Sequence, residues 1–327
     1  MVCTIVGLGL KYAPSPGSIP QTIEMLHRYG WMKATFFFPM FIGSVLAMAA
    51  GSSVGPEAPM VILSSCIAGL FARVLKQPPS ISRVLNLTCI SAGLSSFFSL
   101  PIGGALFTLE IPHRMGLQYY EAIQPAMVAS IIGVIVKYTI LYKPLQFDFQ
   151  LPPFPEKIDV MTFLIAILMG LAASALTFAW TFYIKLLKKF VKVTGLASKA
   201  PVLSGLIGGL VMGWIGAFFP QTLFWGDKEL VNAFSLGAVP PPQLPPWMVG
   251  IVSHTVPYDI YYTFAIALLK FIAIGIGVAS GMPGGVIFPL FYAGAMWGDS
   301  IPCKKKFLIF FPFHSKNVSL QEILRRF

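Results

Sequence analysis

The chain has 327 residues, of which 56% are hydrophobic and only 11% charged, with a mean hydropathy of +0.77. Soluble domains carry about 25% charged residues, so this composition excludes a water-covered protein and makes lipid the solvent for most of the chain. The net charge is +11, but the cations flank apolar runs instead of interleaving with exposed aromatics, which marks membrane topology and excludes nucleic acid as a partner.

In chain order, Met1 to Leu10 has no charged n-region and no clear cleavage site, so insertion is expected to be driven by the first true span. Residues 13–20 are rich in proline and free of helix, and a short amphipathic helix is expected over 21–29. Apolar runs follow at 34–50, 59–75, 84–111, 122–142, 159–187, 201–220 and 260–298. A spanning helix needs about 20 apolar residues. Some runs are shorter and others are long and broken by Gly and Pro, so about eight to eleven helices are expected, some of them partial. Arg73, Lys76, Arg83, His113, Arg114, Lys185, Lys188, Lys189, Lys192 and Lys199 stand at run ends. Two proline-rich loops, 143–158 and 236–258, interrupt the runs. The expected organisation is a transmembrane core over 1–298, its first half ending near 142 and its second starting near 159, and a basic tail over 299–327. The fold class is an all-α multi-pass membrane protein. Cys66 and Cys89 lie in apolar segments and, like Cys3 and Cys303, have no metal-ligand spacing, which reads as free thiols and no metal site.

Each half carries a Gly/Pro break before an apolar helix: Gly51-Ser-Ser-Val-Gly55-Pro56-Glu57-Ala-Pro59, and Ser280-Gly281-Met-Pro283-Gly284-Gly285-Val-Ile-Phe-Pro289. Paired interruptions of this kind point to an inverted repeat with a site at its interface. A helix that starts at such a break leaves backbone N–H groups unpaired at the positive end of its dipole, which suits an anion. Neither break contains Lys or Arg, as expected where an ion must also leave. Pro16-Gly17-Ser18-Ile19-Pro20 has the same character. Ordinary helix kinks are the plain alternative for each break. Glu57 is an ionisable group in an apolar run beside a helix start, and such groups at membrane depth are functional candidates. Its carboxylate can occupy an anion's place and leave it when protonated, which makes a gate. A glutamate that caps its own helix is the simpler alternative.

These segments resemble the signatures of the CLC family of chloride channels and transporters. Pro16-Gly17-Ser18-Ile19-Pro20 is similar to Gly-Ser-Gly-Ile-Pro, Gly55-Pro56-Glu57-Ala58-Pro59 to Gly-Lys/Arg-Glu-Gly-Pro, and Gly285-Val286-Ile287-Phe288-Pro289 to Gly-x-Phe-x-Pro. The stretch Gly93 to Glu110 resembles the family segment that ends at the intracellular mouth. The resemblance covers 9–298 and implies a CLC-like inverted repeat with re-entrant helices, chloride as the transported ion, no cofactor, and a homodimer in a lipid membrane with one pore per subunit. It makes Glu57 the outer gate. It assigns anion contacts to Ser18 with Gly17 and Ile19, to Gly55, and to Val286, Ile287 and Phe288. Gly17 stands where the first motif has Ser, Pro56 replaces a basic residue, Ala58 a glycine, and Ile287 a phenylalanine, so anion preference stays open. Ile111 occupies the place of the inner glutamate of the family's exchangers, which favours passive conduction, with another acid such as Glu121 as the alternative relay. The family's further helices, including one that carries a tyrosine to the central anion, have no counterpart in the sequence given. A non-conducting subunit is therefore a third reading.

Gly51-Ser-Ser53-Val-Gly55 also fits the nucleophile elbow of hydrolases, but a helix is expected before it and the four histidines show no partnering pattern. No cluster of polar catalytic residues is visible in the spans, which argues against an enzyme. Gly205, Gly209 and Gly213 predict a close-packed helix face, and Asn86-Leu-Thr88 and Asn317-Val-Ser319 are glycosylation sequons by pattern.

Overall fold

The computed structural model describes residues 19–110, 117–142, 160–196, 200–227, 229–230 and 260–300. Among them, regular structure is helical apart from a single bridged pair of residues. The first half contains α1 (Ile19–Tyr29), a 3-10 turn (Ala34–Phe36) that runs into α2 (Phe37–Ala49), α3 (Glu57–Val74), α4 (Pro79–Phe98), α5 (Pro101–Glu110) and α6 (Leu117–Leu141). The second contains α7 (Val160–Val193), α8 (Pro201–Phe218), a 3-10 turn (Pro220–Thr222), α9 (Ile260–Ala279) and α10 (Ile287–Asp299). Helix α1 starts at Ile19, two residues before the expected position, because proline is tolerated in a first helical turn.

Among the described residues, six helices are long and apolar enough to cross a membrane: α3, α4, α6 over Tyr120–Leu141, α7, α8 and α9. The chain is an integral, multi-pass membrane protein. The shorter apolar helices, Ala34–Ala49 and Ile287–Gly298, both adjoin a break. The expected run 84–111 divides into two helices. Ser99 adopts a left-handed conformation (φ 56°) and ends α4, and Pro101 opens α5 because it cannot donate to the preceding turn. The run 260–298 divides likewise at the second break.

Packing differs sharply between the halves. Helices α3, α5 and α6 pack against α4, with one apolar cluster at Val61, Ile90 and Leu94, another at Leu87, Leu109 and Ala126, and a small, polar corner between α4, α5 and α6. Ser95 Oγ and Ser130 Oγ lie 2.5 Å apart, and both donate to the carbonyl of Pro101, which fixes the α4–α5 corner against α6. Helix α7, with 34 residues, is about 51 Å long at ~1.5 Å per residue, more than a hydrocarbon layer of about 30 Å requires. None of its residues is buried among the described residues, so its apolar surface stays open to other surroundings. Two aromatic tips dock it on α9: Trp180 Nε1 donates to the Phe271 carbonyl (3.3 Å) and Tyr183 Oη to that of Ile272 (3.2 Å).

On α8 the buried face is Ser204, Gly205, Gly208, Met212, Ile215 and Gly216. Gly213 is exposed, and a Cβ added to it would meet nothing within 4 Å. The expected Gly205/Gly209/Gly213 face is thereby corrected: steps of four residues advance by ~40° each around a helix with 3.6 residues per turn, so the stripe leaves the interface. Asn86 is fully buried in α4, its Nδ2 3.5 Å from the Gly30 carbonyl, which removes it as a glycosylation acceptor. Cys66 and Cys89 are free thiols, the first buried and the second half-buried.

The halves meet around the two breaks. Ala47, Val54, Met212 and Met282 form one buried cluster that draws on both, and Ser52 Oγ donates to Met212 Sδ at 3.8 Å.

Candidate functional site

The two breaks are built alike. Helix α2 ends at Ala49 and α9 at Ala279, and each is followed two residues later by a glycine with positive φ, Gly51 (77°) and Gly281 (79°). That conformation costs other residues a Cβ clash, which is why glycine stands there. Four residues on from each come Gly55 and Gly285, and after them α3 and α10 begin. Neither helix has a side-chain N-cap, since Pro56 and Val286 occupy those positions without a capping hydrogen bond. Pro59 and Pro289 are third in their helices and carry no N–H. Each helix thus turns first-turn amides that its own N-cap side chain does not take toward the break, at the positive end of its dipole.

Tertiary contact brings the two ends together. The Gly55 N–H donates to the Gly285 carbonyl (2.7 Å) and the Gly285 N–H returns to the Gly55 carbonyl (2.6 Å), an antiparallel pair made by the centres of the two breaks. The carboxylate of Glu57, itself fully buried, lies against this pair. Its Oε1 accepts the N–H of Phe288 from the opposite half at 2.7 Å, while Oε2 is buried without a hydrogen-bond partner among the described residues. A Cβ on Gly55 would stand 2.7 Å from Glu57 Cδ, and one on Gly285 3.0 Å from it. Only glycine at both positions leaves room for the carboxylate.

The Phe288 side chain is buried, and its ring packs against Phe97, Phe98 and Phe291 at centroid distances of 5.6, 5.5 and 6.3 Å. Phe107 extends the cluster from Phe98 at 6.0 Å. An apolar wall therefore lies directly behind the amide that holds the Glu57 carboxyl group, and a low local dielectric strengthens that hydrogen bond.

Of the residues expected at the site, Glu57, Gly55 and Phe288 are brought together. Val286 and Ile287 stand at the entry of α10, but the amide that reaches the carboxylate belongs to Phe288, one position further on. Ile19 begins α1 and is half-buried. Gly17, Ser18 and Ile111 lie outside the described residues. A charged group that the sequence reading did not single out is also buried here: Lys270 is fully buried in α9, with Glu229 and Asp227 within charge–charge range, and Asp227 is within such range of Glu57 as well. Its only signal in sequence is a cation in the middle of the apolar run 260–279, where lysine is expensive.

A family model described as voltage gated chloride channel matches residues 1–317. The chain belongs to the CLC family. The matched stretch is wider on both sides than the 9–298 that the motifs mark. Among CLC relatives, the chain is 27% identical over 301 residues to a putative chloride channel protein ClcB-like of Ralstonia nicotianae, covering 89% of this chain and 62% of that protein. It is 25% identical over 260 residues to the voltage-gated ClC-type chloride channel ClcB of Escherichia coli, covering 79% and 55%. An uncharacterized protein of Methanocaldococcus jannaschii, MJ0305, is 28% identical over 79% of this chain and 58% of its own. The chain thus spans 55–62% of the length of these three relatives. The fold is that of a slow cyanobacterial Cl-/H+ antiporter (TM-score 0.68, 15% identity, 95% of this chain and 70% of that one). It is also that of a CLC-type fluoride/proton antiporter (TM-score 0.63, 17% identity, 91% and 78%).

Proposed function

We propose that the chain forms an anion pathway for chloride across a membrane, gated by Glu57, and that it conducts passively. The observation that carries this reading is the hydrogen bond from Phe288 N–H to Glu57 Oε1 at 2.7 Å. It is made by a helix-start amide, the group suited to a dehydrated halide, to a carboxylate that carries the same charge as a halide. The carboxylate competes with the ion for one donor. Protonation removes its charge and weakens that bond, which frees the amide for an anion. Val286 and Ile287 at the same helix entry, and Gly17, Ser18 and Ile19 from the first motif, are the further anion contacts in this reading. Ile111, apolar where the family's exchangers carry an inner glutamate, favours conduction without proton coupling. A homodimer with one pathway per subunit completes the proposal, and no cofactor and no catalytic step belong to it.

The test is anion flux from purified protein in liposomes, wild type beside Glu57→Ala, with a proton-sensitive dye present. Chloride efflux without proton movement, made faster and insensitive to pH by Glu57→Ala, is the expected result. Proton movement in fixed proportion to chloride would replace the passive reading by exchange. Absence of flux from folded wild type would sink autonomous transport.

A further inference from the structure

Lys270 lies midway along α9, a membrane-spanning helix, and none of its surface reaches solvent. An ammonium at that depth is tolerated only where its protons are taken. Its Nζ donates to three successive carbonyls, those of Thr222 (3.0 Å), Leu223 (3.2 Å) and Phe224 (2.7 Å). Three donors meet three acceptors. Glu229 and Asp227 supply negative charge nearby, and the Tyr292 ring centroid lies 5.4 Å from Nζ.

The accepting carbonyls belong to the last residue of the Pro220–Thr222 turn and the two residues that follow it. Three carbonyl dipoles aimed at one point repel one another unless a cation sits between them. The backbone is bent to aim them: Leu223 is extended (φ −72°, ψ 164°), and Phe224 is left-handed (φ 56°), a conformation a bulky aromatic rarely takes. Such strain persists only where surrounding contacts over-determine it.

That turn touches both parts of the anion site. The Phe224 N–H donates to the carbonyl of Gly51 (3.1 Å), the residue that opens the first break. Gly226 lies so close to α10 that a Cβ on it would stand 3.0 Å from Cβ and Cγ of Tyr292. Tyr292 is one turn beyond Phe288, on the same face of α10. One short segment therefore abuts the break that leads to Glu57 and the helix that supplies its partner amide.

We propose that Lys270 is a positioning residue for the anion site: by gathering the carbonyls of Thr222, Leu223 and Phe224, it fixes the turn that registers the Gly51 break against α10. The ammonium is bonded to backbone, so it acts through the turn. The proposal rests on the anion-pathway reading for its functional consequence, while the geometry it predicts is measurable without any anion.

The experiment is hydrogen–deuterium exchange on the purified full chain, read over 51–58 and 282–290, beside chloride binding by calorimetry. The variants are Lys270→Met, Lys270→Arg, and Lys270→Met combined with Phe224→Gly. Methionine keeps the length and loses the donors. It is expected to speed exchange in both segments about tenfold, as local opening of the two breaks would, and to weaken chloride binding to a similar degree. Arginine recovers most of both. Glycine at 224 holds the left-handed turn without an ammonium, so the double variant recovers protection at both breaks. A folded Lys270→Met with wild-type exchange at both segments overturns the proposal. If Lys270→Met does not fold, a folded and protected double variant supports the turn as the site of action. Failure of both while Lys270→Arg folds means that the cation serves α9 itself, and overturns it. Wild type that binds no chloride, with the exchange pattern as expected, would remove the anion-pathway reading and leave the positioning role standing.

Discussion

Gly285→Ala adds one methyl group where Glu57 lies. Gly285 does not have positive φ, so its backbone conformation accepts alanine and the effect falls on the atoms around the new Cβ. The new Cβ would stand 3.0 Å from Glu57 Cδ and from the Ala58 nitrogen, and closer still to Oε2. Contacts that tight force a neighbour to move, and the helix backbone at Ala58 is the less movable of the two. The carboxylate must then leave the Phe288 amide. A hydrogen bond to a charged group contributes ~1.5–3 kcal/mol, which corresponds to a shift of about 10- to 150-fold toward the vacated site. Chloride efflux from liposomes, followed with a chloride electrode, should rise to near the level of Glu57→Ala and lose its pH dependence. The double variant Glu57→Ala/Gly285→Ala should match Glu57→Ala alone, because two changes that act through one contact do not add. If Gly285→Ala conducts at the wild-type rate with wild-type pH dependence, the carboxylate does not gate from between the two glycines. A double variant slower than Glu57→Ala would mean that the methyl group obstructs the ion itself.

Gly208→Ala and Gly213→Ala form a matched pair on α8. A Cβ at 208 would lie 2.7 Å from Ser280 Cβ, and one at 213 meets nothing within 4 Å. The first should destabilise by ~1–3 kcal/mol through overpacking, and the second should be neutral or stabilise by up to ~1 kcal/mol through helix propensity. Thermal unfolding in detergent separates them. Phe98→Ala removes the ring that bridges Phe107 and Phe288. A loss of ~1–3 kcal/mol is expected, below that of a fully buried phenylalanine because Phe98 is only half-buried. The same variant should weaken dependence on Glu57 in the flux assay, and an unchanged pH profile would count against the apolar wall as part of the gate.

Much of this protein is legible without coordinates because lipid leaves so few options. Apolar runs of span length must be helices, and glycine and proline end helices by local sterics. The two breaks, Pro59 and Pro289 in the first turns, and Glu57 as a carboxylate out of place are all read from neighbours in sequence. What sequence could not rank was which amide meets the carboxylate. Phe288 and Glu57 are 231 residues apart, and the choice among Val286, Ile287 and Phe288 depends on the rotation of α10 once Gly55 and Gly285 have paired. The packed face of α8 shows the same limit: glycine spacing identifies a candidate stripe, but contact with Ser280 selects Gly208 over Gly213. Lys270 is visible in sequence as one cation in an apolar run, yet its role depends on three carbonyls that converge only in the folded chain. Local chemistry determines where helices start and stop. Long-range packing decides which of their bare ends face each other, because hydrogen bonds between distant segments form only at the spacing and angle that the whole set of packed helices allows.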